Sequence, residues 1–376
     1  MDTRKKPESY PHVIFLDLSS RKRKVSGMEK VDRNSLIQSI EGVRNSWLIS
    51  YITSDRPGPV NARVAPDIIP LFSKQLRAIA PGGVKVPKID LFLYSAGGDT
   101  MVPWRLVSMV REYCESFGVL VPYKAHSAAT MISLGADEIV MSDLSELSPI
   151  DPSTANVFNP EDPNNKQGRI PISVEDVMAY FDLAKNKFGI KSDEDLTKVF
   201  IQFVEASPEV HPLALGNVNR IHNLIRILAR RLLKSHSVPM RDEDIDRIVD
   251  FFTEKLYSHQ YFIGRKEAKE DLGLKNVINA DGVLAKAMTD LYESYREEMG
   301  LGIGTWNPEA ELGFTTSQAK KEYKIAFIES SSLSNHFEIA FEFRRQQVMV
   351  PQQTPQGVIQ IPQEQITARA VEQGWK

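Results

Sequence analysis

Two stretches decide the fold: KIDLFLYSAGGD at residues 88–99 and KAHSAATMISLGADEIVM at residues 124–141. The first is a short apolar run rich in strand formers. It stops at Gly97-Gly98, where paired glycines let the backbone turn with its N–H groups exposed. The second places Ser127 at the start of a helical pattern, among small residues, ahead of the strand-like DEIVMS. Between them, MVPWRLVSMVREYCESFG reads as a helix and GVLVPYKAH as another buried strand. Strand, glycine turn, helix, strand, sharp turn, helix, strand is the order of an α/β fold with a largely parallel sheet. Taken singly, a Gly-Gly turn is an ordinary connection and a serine at a helix start is an ordinary N-cap. Their combination points to chemistry, because backbone donors and a hydroxyl nucleophile are two parts of an acyl-transfer site.

Upstream, RNSLIQSIEGVRN predicts a helix, WLISYIT a strand, and DIIPLFSKQLRAI a helix with Pro70 in its first turn. Downstream, residues 151–169 are rich in Pro, Asn and Asp and read as loop. VEDVMAYFDLAKNKF, DEDLTKVFIQFVEA and LALGNVNRIHNLIRILARRLLKSH then predict three helices in succession. DIDRIVDFFTEKL and RKEAKEDLG return to the core, and ADGVLAKAMTDLYESYREEMG predicts a long, exposed helix. YKIAFIESS and HFEIAFEFRRQQVMV alternate apolar with polar residues, as an antiparallel hairpin does. The Pro/Gln-biased stretch after Val350 predicts a disordered tail or one strapped loosely to a partner. The expected organisation is an N-terminal arm (1–33), a core (34–150), a loop with helical elaboration (151–236), a returning core element with the long helix (237–300), a C-terminal β-hairpin (301–350) and a Pro/Gln-rich tail (351–376).

Composition narrows the function classes. With 46 basic and 49 acidic residues among 376, the net charge is −3, which leaves no electrostatic footprint for nucleic acid. The basic clusters at Arg21–Lys24 and Arg226–Lys234 are short, and the second falls on an amphipathic helix pattern, where it reads as a solvated face. One cysteine, Cys114, excludes an intrachain disulfide and a thiolate zinc cluster, and its place in a helical pattern predicts a small core filler. No apolar run approaches the roughly 18 residues of a bilayer span. The apolar stretch Val13–Leu18 is interrupted by Asp17 and is too short for a signal peptide, so a cytoplasmic protein is expected, with peripheral membrane contact left open. Neither a Walker-type loop, a GxGxxG motif nor His-rich ligand spacing occurs, so no metal or cofactor is expected.

The two opening stretches resemble the Clp-type peptidases, signal peptide peptidase A and the crotonases, and most closely the serine dehydrogenase proteinase family. The likeness rests on the Gly-Gly turn, on Ser127 opening the next helix, and on Ala136-Asp137-Glu138-Ile139-Val140 with Asp137 ten positions beyond Ser127. Leu147-Ser148-Pro149-Ile150-Asp151-Pro152 resembles the family's following turn, and Ser258-His259-Gln260-Tyr261-Phe262-Ile263 its closing element. The resemblance covers about residues 34–274. It implies a Clp/crotonase-like spiral α/β fold, a homo-oligomer, a peptide or protein substrate, Ser127 as nucleophile, and Gly97 and Gly98 as oxyanion donors. The chain departs from the family in having Ser-Ala-Ala-Thr for Ser-Gly-Gly-Thr, and Ala96 where a proline often precedes the glycines. Ile150 stands about where Clp-type peptidases carry their histidine, so the resemblance does not name the base.

A serine hydroxyl needs a base within hydrogen-bond reach. His211 opens the third elaboration helix, with His222 three turns along it, and His259 lies in the returning element. His126 adjoins the nucleophile, and Lys124, Lys185, Lys198 and Lys234 are the candidates for a serine–lysine dyad. His211 is the first expectation and His259 the second among the histidines. Three functions remain: a serine peptidase, a crotonase-like acyl-thioester enzyme whose oxyanion hole serves an enolate, and a scaffold that keeps the fold without catalysis.

Overall fold

The computed structural model describes residues 32–150, 153–154, 157–162, 165–170, 172–206, 211–254, 261–355 and 357–376. Arg33–Lys376 form one compact unit. The strands are β1 (Trp47–Thr53), β2 (Val86–Tyr94), β3 (Cys114–Val121), β4 (Lys124–Ala125), β5 (Glu138–Met141), β6 (Glu146–Leu147), β7 (Ser153–Thr154), β8 (Glu161–Asp162), β9 (Asn165–Arg169), β10 (Ile172–Ser173), β11 (Ile263–Gly264), β12 (Val277–Asn279), β13 (Gln318–Glu329), β14 (Ser334–Thr354) and β15 (Gly357–Trp375). The helices are α1 (Arg33–Arg44), α2 (Ile68–Ile79), α3 (Val102–Arg111), α4 (Ala128–Leu134), α5 (Val174–Asp182), α6 (Asp193–Ala206), α7 (Pro212–Lys234), α8 (Asp242–Glu254), α9 (Arg265–Glu270), α10 (Gly282–Met299) and α11 (Pro308–Leu312).

Eight strands form the main sheet in the order β12-β5-β3-β2-β1-β13-β14-β15. The first five pair in parallel and the last three antiparallel. The central strands read as continuous apolar runs because both faces are covered. Ile49, Tyr51, Ile89, Leu91, Leu93, Phe117, Val119 and Val121 pack in the core shared with α2, α3, α4, α7 and α8. Their alternates Leu48, Ile52, Phe92, Tyr94 and Leu120 face α1 and α10 on the other side. A smaller sheet, β11-β6-β4, stands beside the main one and carries the residues that lead into Ser127.

Four sequence expectations change. Cys114 lies in a strand: α3 ends at Arg111 and Cys114 pairs with Val86, because alternate burial of Phe117, Val119 and Val121 beside β2 outweighs the helical spacing before them. The long helix α10 is not free in solvent; Met288, Leu291, Tyr292 and Tyr295 bury its inner face against α1 and the sheet. Residues 151–169, expected as loop, contain among the described residues the strand pair β8 with β9 and the strand β7, which pairs with β10 just beyond. The Pro/Gln-rich tail is β15, paired with β14 from Phe337↔Trp375 to Thr354↔Gly357, and Pro362 sits on this outermost strand, where a missing N–H is tolerated. The expected two-stranded unit is therefore a three-stranded antiparallel extension of the main sheet, joined to it where Ser50 to Thr53 pair with Glu329 to Ala326. No helix among the described residues is long and apolar enough to cross a membrane.

Candidate functional site

The carboxyl ends of β2 and β4 are stitched together. Ser95 donates its N–H to the Lys124 carbonyl and accepts the His126 N–H on its own carbonyl, each at 3.0 Å. The Ser95 hydroxyl oxygen accepts the Thr53 hydroxyl at 2.8 Å and the Gly97 N–H at 3.0 Å. These bonds press the Gly-Gly turn onto Ser127. Gly97 has φ +97°, and a Cβ there would stand 2.7 Å from the His126 carbonyl oxygen and 2.8 Å from the Ser127 Cβ. A Cβ at Gly98 would run into the Val64 backbone, whose N–H and carbonyl are bonded to the Gly97 carbonyl and the Asp99 N–H. Only glycine fits either position. Gly97 and Ser127, 30 positions apart in sequence (127 − 97), thus lie against each other.

Ser127 precedes α4 with φ +51° and ψ −113°, and its side chain makes no capping bond. An ordinary N-cap serine has extended backbone angles and an oxygen turned onto the helix N–H groups. Ser127 has neither, so it is not an N-cap serine. A non-glycine residue held in such a conformation costs on the order of 1–3 kcal/mol and persists only where its surroundings over-determine it. Its N–H donates to the Ser148 hydroxyl at 2.8 Å and its carbonyl accepts the Met131 N–H at 3.0 Å. Two amides adjoining this contact in the chain have no acceptor among the described residues: Gly98, next to Gly97, and Ala128, next to Ser127 in the first turn of α4, where no intrahelical partner exists. The Gly97 N–H is already taken by Ser95, so of the two expected glycine donors it is Gly98 whose N–H has no acceptor among the described residues.

The proton-transfer candidates separate. His211 is the N-cap of α7: its Nδ1 accepts the Leu213 N–H at 3.1 Å and its ring stacks on Phe158. Together with Phe158, Arg169 and Ile170 it lines a cavity of about 490 Å³ to which no residue of the Ser127 turn contributes. The α7 end that meets α4 is the opposite one, where Leu232 packs on Gly135 and His236 Nε2 lies 2.8 Å from the Leu134 carbonyl. The structure therefore does not bring His211 to Ser127. His222, on α7, is 4.0 Å from Glu254, and burial lowers its pKa. Among the lysines, Lys124 loses some charge preference to burial, but the Asp55 carboxylate at 2.9 Å outweighs it and raises its pKa, opposite to what a dyad base requires. Lys198 is held by Glu194 and Asp195, with its pKa raised, and Lys234 by Asp242 at 2.6 Å, both far out on the surface; Lys185 is exposed. His126 Nε2 lies 3.0 Å from Glu146 on β6, a carboxyl whose pKa burial raises. Burial likewise pushes the Cys114 thiol up to about 11, which makes it inert as a nucleophile. His259 lies outside the described residues. The described chain just beyond it forms β11, where Ile263 pairs with Leu147, which in turn pairs with Ala125, two residues before Ser127.

Residues 14–176 match the family of ClpP-like SDH-type serine proteinases. The match covers less than half of the chain and contains the whole of the arrangement around Gly97, Gly98, Ser127 and Ser148. The chain is also similar to two uncharacterized proteins of Methanocaldococcus jannaschii. With MJ0137 it shares 23% identity over 266 residues, 70% of this chain and 79% of that one. With MJ1495 it shares 32% identity over 77 residues, 20% of this chain and only 26% of the other. Sequence reading missed two parts of the site. Ser148, the acceptor for the Ser127 N–H, was visible only as a member of the turn after β6. Ala128 carries no sequence signal beyond its small size, because a backbone donor leaves no side-chain mark.

Proposed function

We propose that this protein is a serine hydrolase, specifically a peptidase, with Ser127 as its nucleophile. The observation that carries the reading is the conformation of Ser127: at positive φ, uncapped and packed against the Gly97 turn, with the neighbouring Gly98 and Ala128 amides lacking an acceptor among the described residues. In this reading the Ser127 Oγ attacks a substrate carbonyl carbon as its proton passes to a base. The carbonyl oxygen becomes an oxyanion held by the N–H groups of Gly98 and Ala128. Collapse expels the amine, protonated by the same base, and water then releases the acyl group by the same route. Each donor would be worth roughly 3 kcal/mol of barrier and the base a factor of about 10² to 10⁴. Gly97 supports the site through space, by admitting Ser127 against it. For the base we favour His259, since β11 begins four residues after it in sequence and belongs to the sheet whose strand β4 ends two residues before Ser127, and His211 is committed to capping α7.

Self-association belongs to the same reading. β15 is the outermost strand of the main sheet, and beyond Arg344 the pair β14–β15 runs on without β13. A lone two-stranded ribbon is marginal in water, and Met349, Val358 and Ile359 are exposed on it, so we assign a homo-oligomer contact there. A catalytically silent scaffold is the second reading, favoured by one observation: among the described residues no imidazole or ammonium is hydrogen-bonded to the Ser127 hydroxyl. Intact-mass measurement after treatment with a fluorophosphonate decides between them. The peptidase reading expects one adduct on the wild type and none on Ser127→Ala; a wild type that takes no adduct leaves the scaffold.

A further inference from the structure

The strained geometry of Ser127 has an identifiable support. Ser148 Oγ accepts the Ser127 N–H at 2.8 Å, and its single proton is committed to the Pro149 carbonyl at 2.9 Å, so the oxygen lone pairs are left toward Ser127. Ser148 itself is fixed from behind. Its N–H donates to Thr130 Oγ1 at 3.1 Å, and the Thr130 hydroxyl donates to the Ala125 carbonyl at 2.7 Å. The hydrogen bonds therefore close a ring through Ala125, Thr130, Ser148 and Ser127 that brackets the nucleophile from two residues before to three residues after. Thr130 is fully buried and Ser148 is 3% exposed, so water does not substitute for either hydroxyl.

The ring also determines which amides remain available. Without an acceptor for its N–H in the left-handed conformation, Ser127 has a lower-energy alternative. It can relax to extended angles and cap α4 through its own Oγ. The Ala129 N–H is already bonded to the His126 carbonyl, so the open capping donor is the Thr130 N–H. A serine hydroxyl turned onto that donor points into the helix and not toward a substrate.

We propose that Ser148 is a positioning residue for the nucleophile: its hydroxyl holds Ser127 in the uncapped conformation, with Thr130 holding Ser148. The inference rests on the serine-hydrolase reading, and its test separates the two. The rate of inactivation by a fluorophosphonate is resolved into reversible affinity and the acylation step for the wild type, Ser148→Ala, Ser148→Thr and Thr130→Val. Misplacing a reacting atom by about 1 Å costs on the order of 100-fold. Ser148→Ala is expected to lose about that much in the acylation step with affinity unchanged, Ser148→Thr to recover most of it, and Thr130→Val to lose less, about 10-fold. A crystal structure of Ser148→Ala gives a readout that needs no activity: Ser127 should have a negative φ and its Oγ on the Thr130 N–H. A folded Ser148→Ala that acylates at the wild-type rate overturns the positioning role while leaving the nucleophile intact. So does a crystal structure in which Ser127 keeps its positive φ without Ser148, or a Ser148→Thr protein as slow as Ser148→Ala. If Ser148→Ala does not fold, wild-type acylation by Thr130→Val overturns the proposal. A wild type that never reacts overturns the hydrolase reading and this one with it.

Discussion

Replacing Gly97 by alanine tests the central geometric claim, that the glycine turn bears directly on Ser127. The added methyl would meet the His126 carbonyl oxygen at 2.7 Å, the Ser127 Cβ at 2.8 Å and the Ala128 nitrogen at 3.2 Å; the His126 carbonyl accepts the Ala129 N–H, and Ser127 is held through its own N–H and carbonyl. A φ of +97° adds strain of about 1–3 kcal/mol, and forcing a methyl into packed backbone another ~1–3 kcal/mol. The expected loss of stability is thus on the order of 2–6 kcal/mol, large against the ~5–15 kcal/mol of a whole domain. Gly83 supplies the control. Its φ is also positive, +76°, but nothing lies within 4 Å of its Cβ position, so Gly83→Ala should lose only about 1–2 kcal/mol. Urea unfolding of both variants gives the stabilities, and fluorophosphonate labelling gives the effect on Ser127. Because the methyl can be accommodated only by moving Ser127 or its neighbours, Gly97→Ala should label about 100-fold more slowly while Gly83→Ala labels normally. If Gly97→Ala is as stable as Gly83→Ala and labels at the wild-type rate, the turn does not press on Ser127 and the arrangement around it is wrong.

Other expectations follow from neighbouring parts of the structure. His259→Ala should lower peptide turnover by about 10² to 10⁴, whereas His211→Ala should cost about 1 kcal/mol as a lost helix cap and leave turnover intact; the reverse pattern would return the base to α7. With a histidine base the turnover profile should rise with pH through about 6 to 7, and a limb near 8 or above would speak for a lysine. Burial alone would raise the Asp137 pKa, but Arg111 and the N–H groups of Phe117 and Ser237 outweigh it and hold it below the usual carboxylate range. Its stabilising contribution is therefore present above about pH 4, the unfolded value, and is lost as pH falls through the lower folded value. Asp137→Asn should accordingly lower thermal stability at pH 7 and flatten its acid dependence, and an unchanged acid-unfolding curve counts against that assignment. Excising residues 348–363 and joining Gln347 to Glu364 through Asn-Gly should reduce the mass found by light scattering without lowering the melting temperature; an unchanged mass removes the ribbon from the assembly.

Much of the core and the nucleophile were legible because their signals are local. WLISYIT and KIDLFLY read as strands since both faces are buried and nearly every residue is apolar, and the glycine pair at the end of β2 marks a turn that no residue with a Cβ could make. The alternation in β13 and early β14 likewise survives as written. Where two periodicities compete, the sequence could not arbitrate: Cys114 suits a helix by spacing, and only the neighbouring β2 makes it a strand. The stretch at 357–375 carries Val358, Ile359, Ile361 and Ile366 but no sustained alternation, with four glutamines and Pro362 among them, and it becomes a strand because β14 offers a full row of backbone partners. Hydrogen bonding to another strand depends on the backbone and is nearly blind to composition. The same limit governed the site. Ser127 and Gly98 could be named from the chain, but whether Ser127 capped its helix, that Gly97 was spent on Ser95, that Lys124 was held by Asp55 and that His211 faced another cavity are long-range facts. Each depends on which groups folding brings within about 3 Å, and one-dimensional spacing carries that information only for residues a turn or two apart.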